Sequence, residues 1–212
     1  MMNKYVSVLT KQHSPIVNAL RKTEYAKAKG FSVEDSGIFW NASDDQAIVL
    51  GAWEDDKLIA TMRMEILDDP QLVEKKIECP WDFAVALQFP ALILSRAATD
   101  SSYRGTGINT LLRKHCFEIA KERGVKQAIG TFVAGSARTR TLEKMGYQFF
   151  ENQLGWNRHD YRSHEQVQVA VLDMEAQWAT AIDECNRLTE SLSQQFRWIP
   201  TDLGSGRVTV VK

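Results

Sequence analysis

Residues 91–112, ALILSRAATDSSYRGTGINTLL, decide how this chain is read. Their first half is a largely apolar run of strand length, which fits a strand buried on both faces. Their second half holds a glycine-rich turn, Arg104-Gly105-Thr106-Gly107. Beyond it Ile108, Leu111, Leu112, His115, Cys116, Ile119 and Ala120 recur at helical spacing up to Gly124, which predicts an amphipathic helix over 106–123. Amide groups without helical partners and the positive end of the helix dipole converge at such a corner, and both suit phosphate. Glycine at 105 and 107 lets an anion approach the backbone, and Arg104 can add a charge-assisted bond. The same glycines would also serve an ordinary turn. Two other phosphate motifs fail: Ile108 follows Gly107 where a P-loop needs lysine, and Thr110 stands where a dinucleotide fingerprint needs its third glycine.

Working outward, a strand is expected over 5–9, and Ser14-Pro15 opens a helix over 14–29 that Gly30 stops. Residues 47–53 and 58–67 read as the strands of a hairpin around a polar turn. Residues 68–90 read as irregular, punctuated by Pro70, Pro80 and Pro90, with a short helix near 81–87. Downstream come a strand over 126–133, a helix over 136–145 closed by Gly146, strands over 147–150 and 166–172, a long helix from Glu175 and a small strand from Arg197. The unit over 91–133 should be a right-handed parallel crossover. The fold class is α/β (α+β): a single mixed central sheet of about seven strands, helices on both faces and an extra C-terminal helix. One domain is expected over 1–212, with its core at 4–173 and the C-terminal helix and tail at 174–212.

The composition is ordinary for a globular chain, with 44% hydrophobic and 25% charged residues. A net charge of -1 gives no overall footprint for nucleic acid. From Arg104 to Lys144, however, nine Lys or Arg face three Glu, or +6, which leaves -7 for the rest. Such asymmetry suggests a polyanion of limited size. Cys79, Cys116 and Cys185 are scattered, which argues for a reducing compartment and against a disulfide framework or zinc site. The first residues lack the apolar core of a signal peptide, and the apolar stretch 83–94 is too short to span a bilayer. A cytoplasmic protein with no metal, nucleic-acid partner or membrane span is expected.

Tyr103 to Ile108, the amphipathic helix, the following strand and Leu142-Glu-Lys-Met-Gly-Tyr147 together resemble the GNAT superfamily of N-acetyltransferases. The resemblance implies that main-chain amides of an R-x-x-G-x-G/A turn hold the pyrophosphate of an acyl-coenzyme A. Arg104 and Gly107 fill fixed positions of that pattern, Gly105 fills a variable one, and Asn109 stands where Gly or Ala is usual. The implied donor-binding residues are Ala97, Ala98, Thr99, Arg104, Gly105, Thr106, Gly107, Ile108 and Asn109. Gly107→Trp is accordingly expected to abolish donor binding and leave the fold intact. Leu142 occupies the position of the family's usual tyrosine acid, and Gly135 that of its asparagine. A thiol of pKa about 8.5 can leave as thiolate without that acid.

Leu20-Arg21, Tyr25, Gly30-Phe31, Asp44-Asp45, Ala60-Thr61-Met62-Arg63 and Leu94-Ser95-Arg96 follow an order similar to acyl-homoserine-lactone synthases and N-acyl amino acid synthases. Those enzymes transfer longer acyl chains to amino-acid amines, commonly from acyl carrier protein. Ile93 stands where the lactone synthases carry glutamate.

The expected activity is N-acyl transfer from acyl-coenzyme A (acetyl-coenzyme A at base rate) or acyl-phosphopantetheine on a carrier protein to a small-molecule or peptide primary amine. Long-chain N-acyl amino acid synthesis and a non-catalytic acyl-coenzyme A sensor stay open beside it, as does a homodimer. Glu65, with Asp45 and Glu24 as other carboxylates, is a candidate base acting through water. Ser95 and Arg96 lie where the resemblance places backbone amides that polarise the thioester carbonyl. Arg21 and Arg63, with Arg96, would form a fork for an acceptor carboxylate or else an internal ion pair to Asp44 or Asp45. Trp81, Phe83 and Phe89 would line an acyl pocket or pack in the core, His115 sits at a core-side spacing, and His159 and His164 lack metal-ligand partners.

Overall fold

A computed structural model describes residues 3–27, 37–133, 135–150 and 167–200. Along the chain run β1 (Lys4–Leu9), α1 (Ser14–Tyr25), α2 (Ala42–Asp45), β2 (Ile48–Glu54), β3 (Lys57–Leu67), α3 (Pro70–Ile77), α4 (Trp81–Val85) and β4 (Ala91–Thr99). There follow α5 (Ile108–Glu122), β5 (Gln127–Val133), α6 (Ala137–Lys144), β6 (Gln148–Phe150), β7 (Val167–Asp173), α7 (Trp178–Ser193) and β8 (Arg197–Ile199). The strands hydrogen-bond into one mixed sheet of order β6-β7-β5-β4-β3-β2-β1-β8. The sheet therefore has eight strands among the described residues, in keeping with about seven expected; the small strand expected from Arg197 is β8, on the outer side of β1.

The chain divides into two compact units, the first comprising Met1–Glu65, Leu94–Phe117 and Cys185–Lys212. Here β1 pairs antiparallel with β2 and parallel with β8, and β2 and β3 form the expected hairpin. Asp55 turns its tip with φ 51 and exchanges bonds with Asn3. Val17 on α1 packs with Leu9, Val49, Trp53 and Leu58 in an apolar cluster. Burying these side chains drives the unit together at roughly 1.5–3 kcal/mol each. The helix ends at Tyr25, short of the expected boundary, and Gly30 lies outside the described residues.

The second unit comprises Ile66–Ile93 and Glu118–Glu184. Ala91–Ile93 of β4 pair in parallel with Gln127–Ile129, and β7 runs antiparallel to both β5 and β6. The stretch read as irregular holds a full helix, α3, packed through Val73 and Ile77 into a core with Ala84, Ala91 and Ile129. Asp69 caps it by accepting from the Gln71 amide at 2.8 Å, and Pro70 sits at its first position. Ser136 caps α6 in the same way, accepting from the Thr139 amide at 3.2 Å. The long helix begins at Trp178 rather than Glu175, because the Glu175 and Ala176 amides turn back onto Asp173 Oδ1. The segment carrying His159 and His164 lies outside the described residues. Among those residues no helix is long and apolar enough to cross a membrane.

Candidate active site

The corner after β4 is exposed through Arg104, Gly105 and Thr106, as an anion site requires. Asp100 accepts from both the amide and the hydroxyl of Ser102, and its own amide donates to Ile59 on β3. Lys57 pairs with Asp100 at 2.8 Å, which with the Ser102 bonds holds this carboxyl far below the usual carboxylate range. The Tyr103 hydroxyl donates to Glu54, and that bond to an anion pushes its pKa up to about 12. Lys4 first and Tyr103 second push Glu54 down in turn. The loop is thus fastened to the β2–β3 hairpin before the turn begins.

Gly105 and Gly107 adopt φ +79 and +94, conformations that glycine reaches without a Cβ clash. The Gly107 carbonyl accepts from the Leu111 amide at 2.9 Å, so α5 starts at once and its first amides have no carbonyl one turn back. The two glycines differ in surroundings. A Cβ at Gly105 would meet nothing within 4 Å, whereas one at Gly107 would lie 2.5 Å from the Leu188 carbonyl oxygen of α7. The expectation that Gly107→Trp leaves the fold intact is therefore corrected: that side of the turn is closed by the C-terminal helix. Arg104 donates to Glu24 at 2.8 Å.

A second constellation is buried beside Ser95. Val17 and Arg21, one turn apart on α1, both face inward, and the Arg21 side chain is wholly buried. It donates to Asp44 Oδ1 and to the Ile38 carbonyl, each at 3.0 Å. A capping box with Asn41 fixes Asp44 at the start of the chain's second helix. Arg63 and Glu65 share one face of β3, with 2.9 Å between Nη2 and Oε2. Arg63 Nε also donates to Ser95 Oγ at 2.9 Å. Arg96 donates to Asp44 Oδ2 and to the Phe39 carbonyl. Its φ of 49 is unusual for a non-glycine residue, and these two bonds hold it there.

Among the described residues three guanidinium groups thus share two carboxylates, Asp44 and Glu65, which leaves one positive charge in excess there. Burial is the main reason that Arg21 is pushed down and that Arg96 falls to about 10, with Arg63 the next cause at Arg96. Among the described residues, Arg21 Nε and Nη2, Arg63 Nη1 and the Thr61 hydroxyl are buried without hydrogen-bond partners. Unsatisfied cationic donors of this kind are costly unless an anion completes them. Arg63 and Arg96 keep 9% and 17% of their side chains accessible, so they, and not Arg21, can touch such an anion.

The other expected residues are dispersed. Asp45 accepts from Trp40 Nε1 at 2.7 Å and Glu24 is held by Arg104 and Lys27, so among the three carboxylates Glu65 stands with Ser95 and Arg96. Leu142 is a core residue. Phe83 and Phe89 pack against the core of the second unit, while Trp81 is exposed. His115 stacks on Trp198 at 4.7 Å. Lys27, which bonds Glu24 and Ser101, was carried by no sequence motif.

The family model described as acetyltransferase (GNAT) family matches residues 15–147. No curated protein matches the chain. Among solved structures, the coenzyme A-dependent acyl-homoserine lactone synthase BjaI with MTA aligns over 95% of this chain and 96% of its own, with TM-score 0.62 and 10% identity. FeeM, an N-acyl amino acid synthase from uncultured soil microbes, aligns over 85% and 97%, with TM-score 0.59 and 13% identity. An N-acetyltransferase from Staphylococcus aureus Mu50 aligns over 81% and 99%, with TM-score 0.53 and 16% identity. At these identities the likeness is one of fold.

Proposed function

The chain belongs to the acetyltransferase (GNAT) family, and from that premise we propose that it moves an acyl group from acyl-coenzyme A to a primary amine. The observation that carries the donor is the turn at 104–109, exposed through Thr106, with glycines at positive φ and a helix opening directly behind it. Its amides and Arg104 would hold the diphosphate; Ala97, Ala98 and Thr99 would lie along the pantetheine arm. A domain over 1–212 carries the whole site in this reading.

The amine attacks the thioester carbonyl directly. Its nitrogen must first lose a proton, since an ammonium has no lone pair, and Glu65 would take it through water. Backbone amides of Ser95–Ala98, beyond the β4–β5 ladder, would steady the oxyanion. The carbon–sulfur bond then breaks and sulfur departs as thiolate, a leaving group of pKa about 8.5.

The buried guanidinium excess favours a sharper version, in which the acceptor is an amino acid. Its carboxylate would complete Arg63 Nη1 and meet the accessible part of Arg96, with Arg21 bracing Asp44 from behind. In that version a longer acyl chain or a carrier-protein donor also fits.

Release of thiol from acetyl- and longer acyl-coenzyme A, followed with a thiol-trapping dye across an amine panel, tests the proposal. Turnover with amino acids, lost when their carboxylate is amidated, supports the sharper version. Binding of acyl-coenzyme A without thiol release for any amine would sink the transferase reading of this site.

A further inference from the structure

We propose that Lys27 is a second phosphate-holding cation of the donor site, gripping the diphosphate together with Arg104. The inference rests on the donor reading above and names a residue outside the glycine-rich turn. Glu24 lies between the two cations: one carboxylate oxygen accepts from Lys27 Nζ at 2.6 Å, the other from Arg104 Nη2 at 2.8 Å. The Lys27 ammonium also donates to Ser101 Oγ at 2.8 Å, on the loop that enters the turn. Residues separated by 80 positions in the chain are thus gathered on one side of that loop.

Exposure separates anchor from cations. The Glu24 side chain is 4% accessible, while Lys27 and Arg104 retain 43% and 54%. Among the described residues the ammonium engages two of its three donors, and Glu24 takes one of the guanidinium's five. Two cations on one carboxylate leave a net positive charge beside amides that already suit phosphate. Fixing both long side chains on a buried anchor removes in advance rotamer freedom that binding would otherwise cost. A diphosphate supplies two negative charges, enough to engage both cations at once.

Binding to the full chain is measured for coenzyme A, dephospho-coenzyme A and pantetheine. In Lys27→Met the dissociation constants for coenzyme A and dephospho-coenzyme A should rise about tenfold alike, the size of one charge-assisted bond. Pantetheine should bind as before, and Lys27→Arg should recover most of the loss. Unchanged coenzyme A affinity in Lys27→Met overturns the proposal. So does an equal loss for pantetheine, or a loss confined to coenzyme A, which would move Lys27 to the 3′-phosphate. A parent protein that binds coenzyme A no better than pantetheine would remove the donor reading itself. A parent that discriminates while Lys27→Met discriminates equally overturns Lys27 alone.

Discussion

The glycine-rich turn and the arginine cluster belong to the same compact unit, yet they are built by opposite means. The turn is made of backbone: six consecutive residues, two positive φ angles and the start of a helix, open to solvent at Arg104, Gly105 and Thr106. The cluster is made of side chains from α1, α2, β3 and β4, closed around an Asp44 side chain with no exposure. A backbone site tolerates change in most of its side chains. A buried ionic site transmits the loss of one member to all the others.

That contrast predicts a ranking. Asp44→Asn should cost most, about 3–5 kcal/mol in urea unfolding, because Arg21 would remain buried without its counter-charge. A loss under about 1 kcal/mol, the size of a surface pair, would break the contrast. Next come the glycines. Gly107→Ala combines a left-handed backbone with an approach to the Leu188 carbonyl and should lose about 2–4 kcal/mol. Gly105→Ala, strained but unobstructed, should lose only about 1–2 kcal/mol. Equal losses would mean that the packing of α7 on the turn contributes nothing.

The smallest effect belongs to Asp100, at the loop's entrance. Its carboxyl is held below the ordinary range by Lys57 first and Ser102 second, so folding favours the ionised form. The stability it adds is complete above its unfolded pKa of about 3.9 and fades as pH falls toward the folded value. Because the group is partly exposed, Asp100→Asn should cost no more than about 1 kcal/mol at neutral pH, and the deficit should close in acid. A deficit that stays constant with pH would assign the loop's rigidity to something other than this pair.

The same contrast explains what could be read from the sequence. Strand, turn and amphipathic helix over 91–123 were legible because each signal is local, and family membership followed from them. α3 was equally local, for Asp69-Pro70 spells a helix start, but three prolines in one stretch read as punctuation. Asp44 and Asp45 stand side by side in the sequence, and nothing local tells which of them is buried. The burial of Asp44 comes from Asn41 and from arginines on three other elements, and pairing of this kind leaves no spacing in the sequence. That these arginines pair with Asp44 was one of two readings open beforehand, and the pairing is present. Whether they also meet an acceptor is the proposal. Lys27 escapes notice for the same reason, and Glu24 reads from the sequence as a candidate base, whereas the structure makes it an anchor for Arg104 and Lys27.

Gly107 has a meaning for anyone comparing relatives. Because the α7 backbone leaves no room for a side chain there, selection for helix packing alone would retain glycine. An ancestral lineage could lose nucleotide chemistry and still preserve that letter of the motif. A glycine at 107 therefore says nothing by itself about the proposed donor site, whereas Arg104, half exposed, is not demanded by packing.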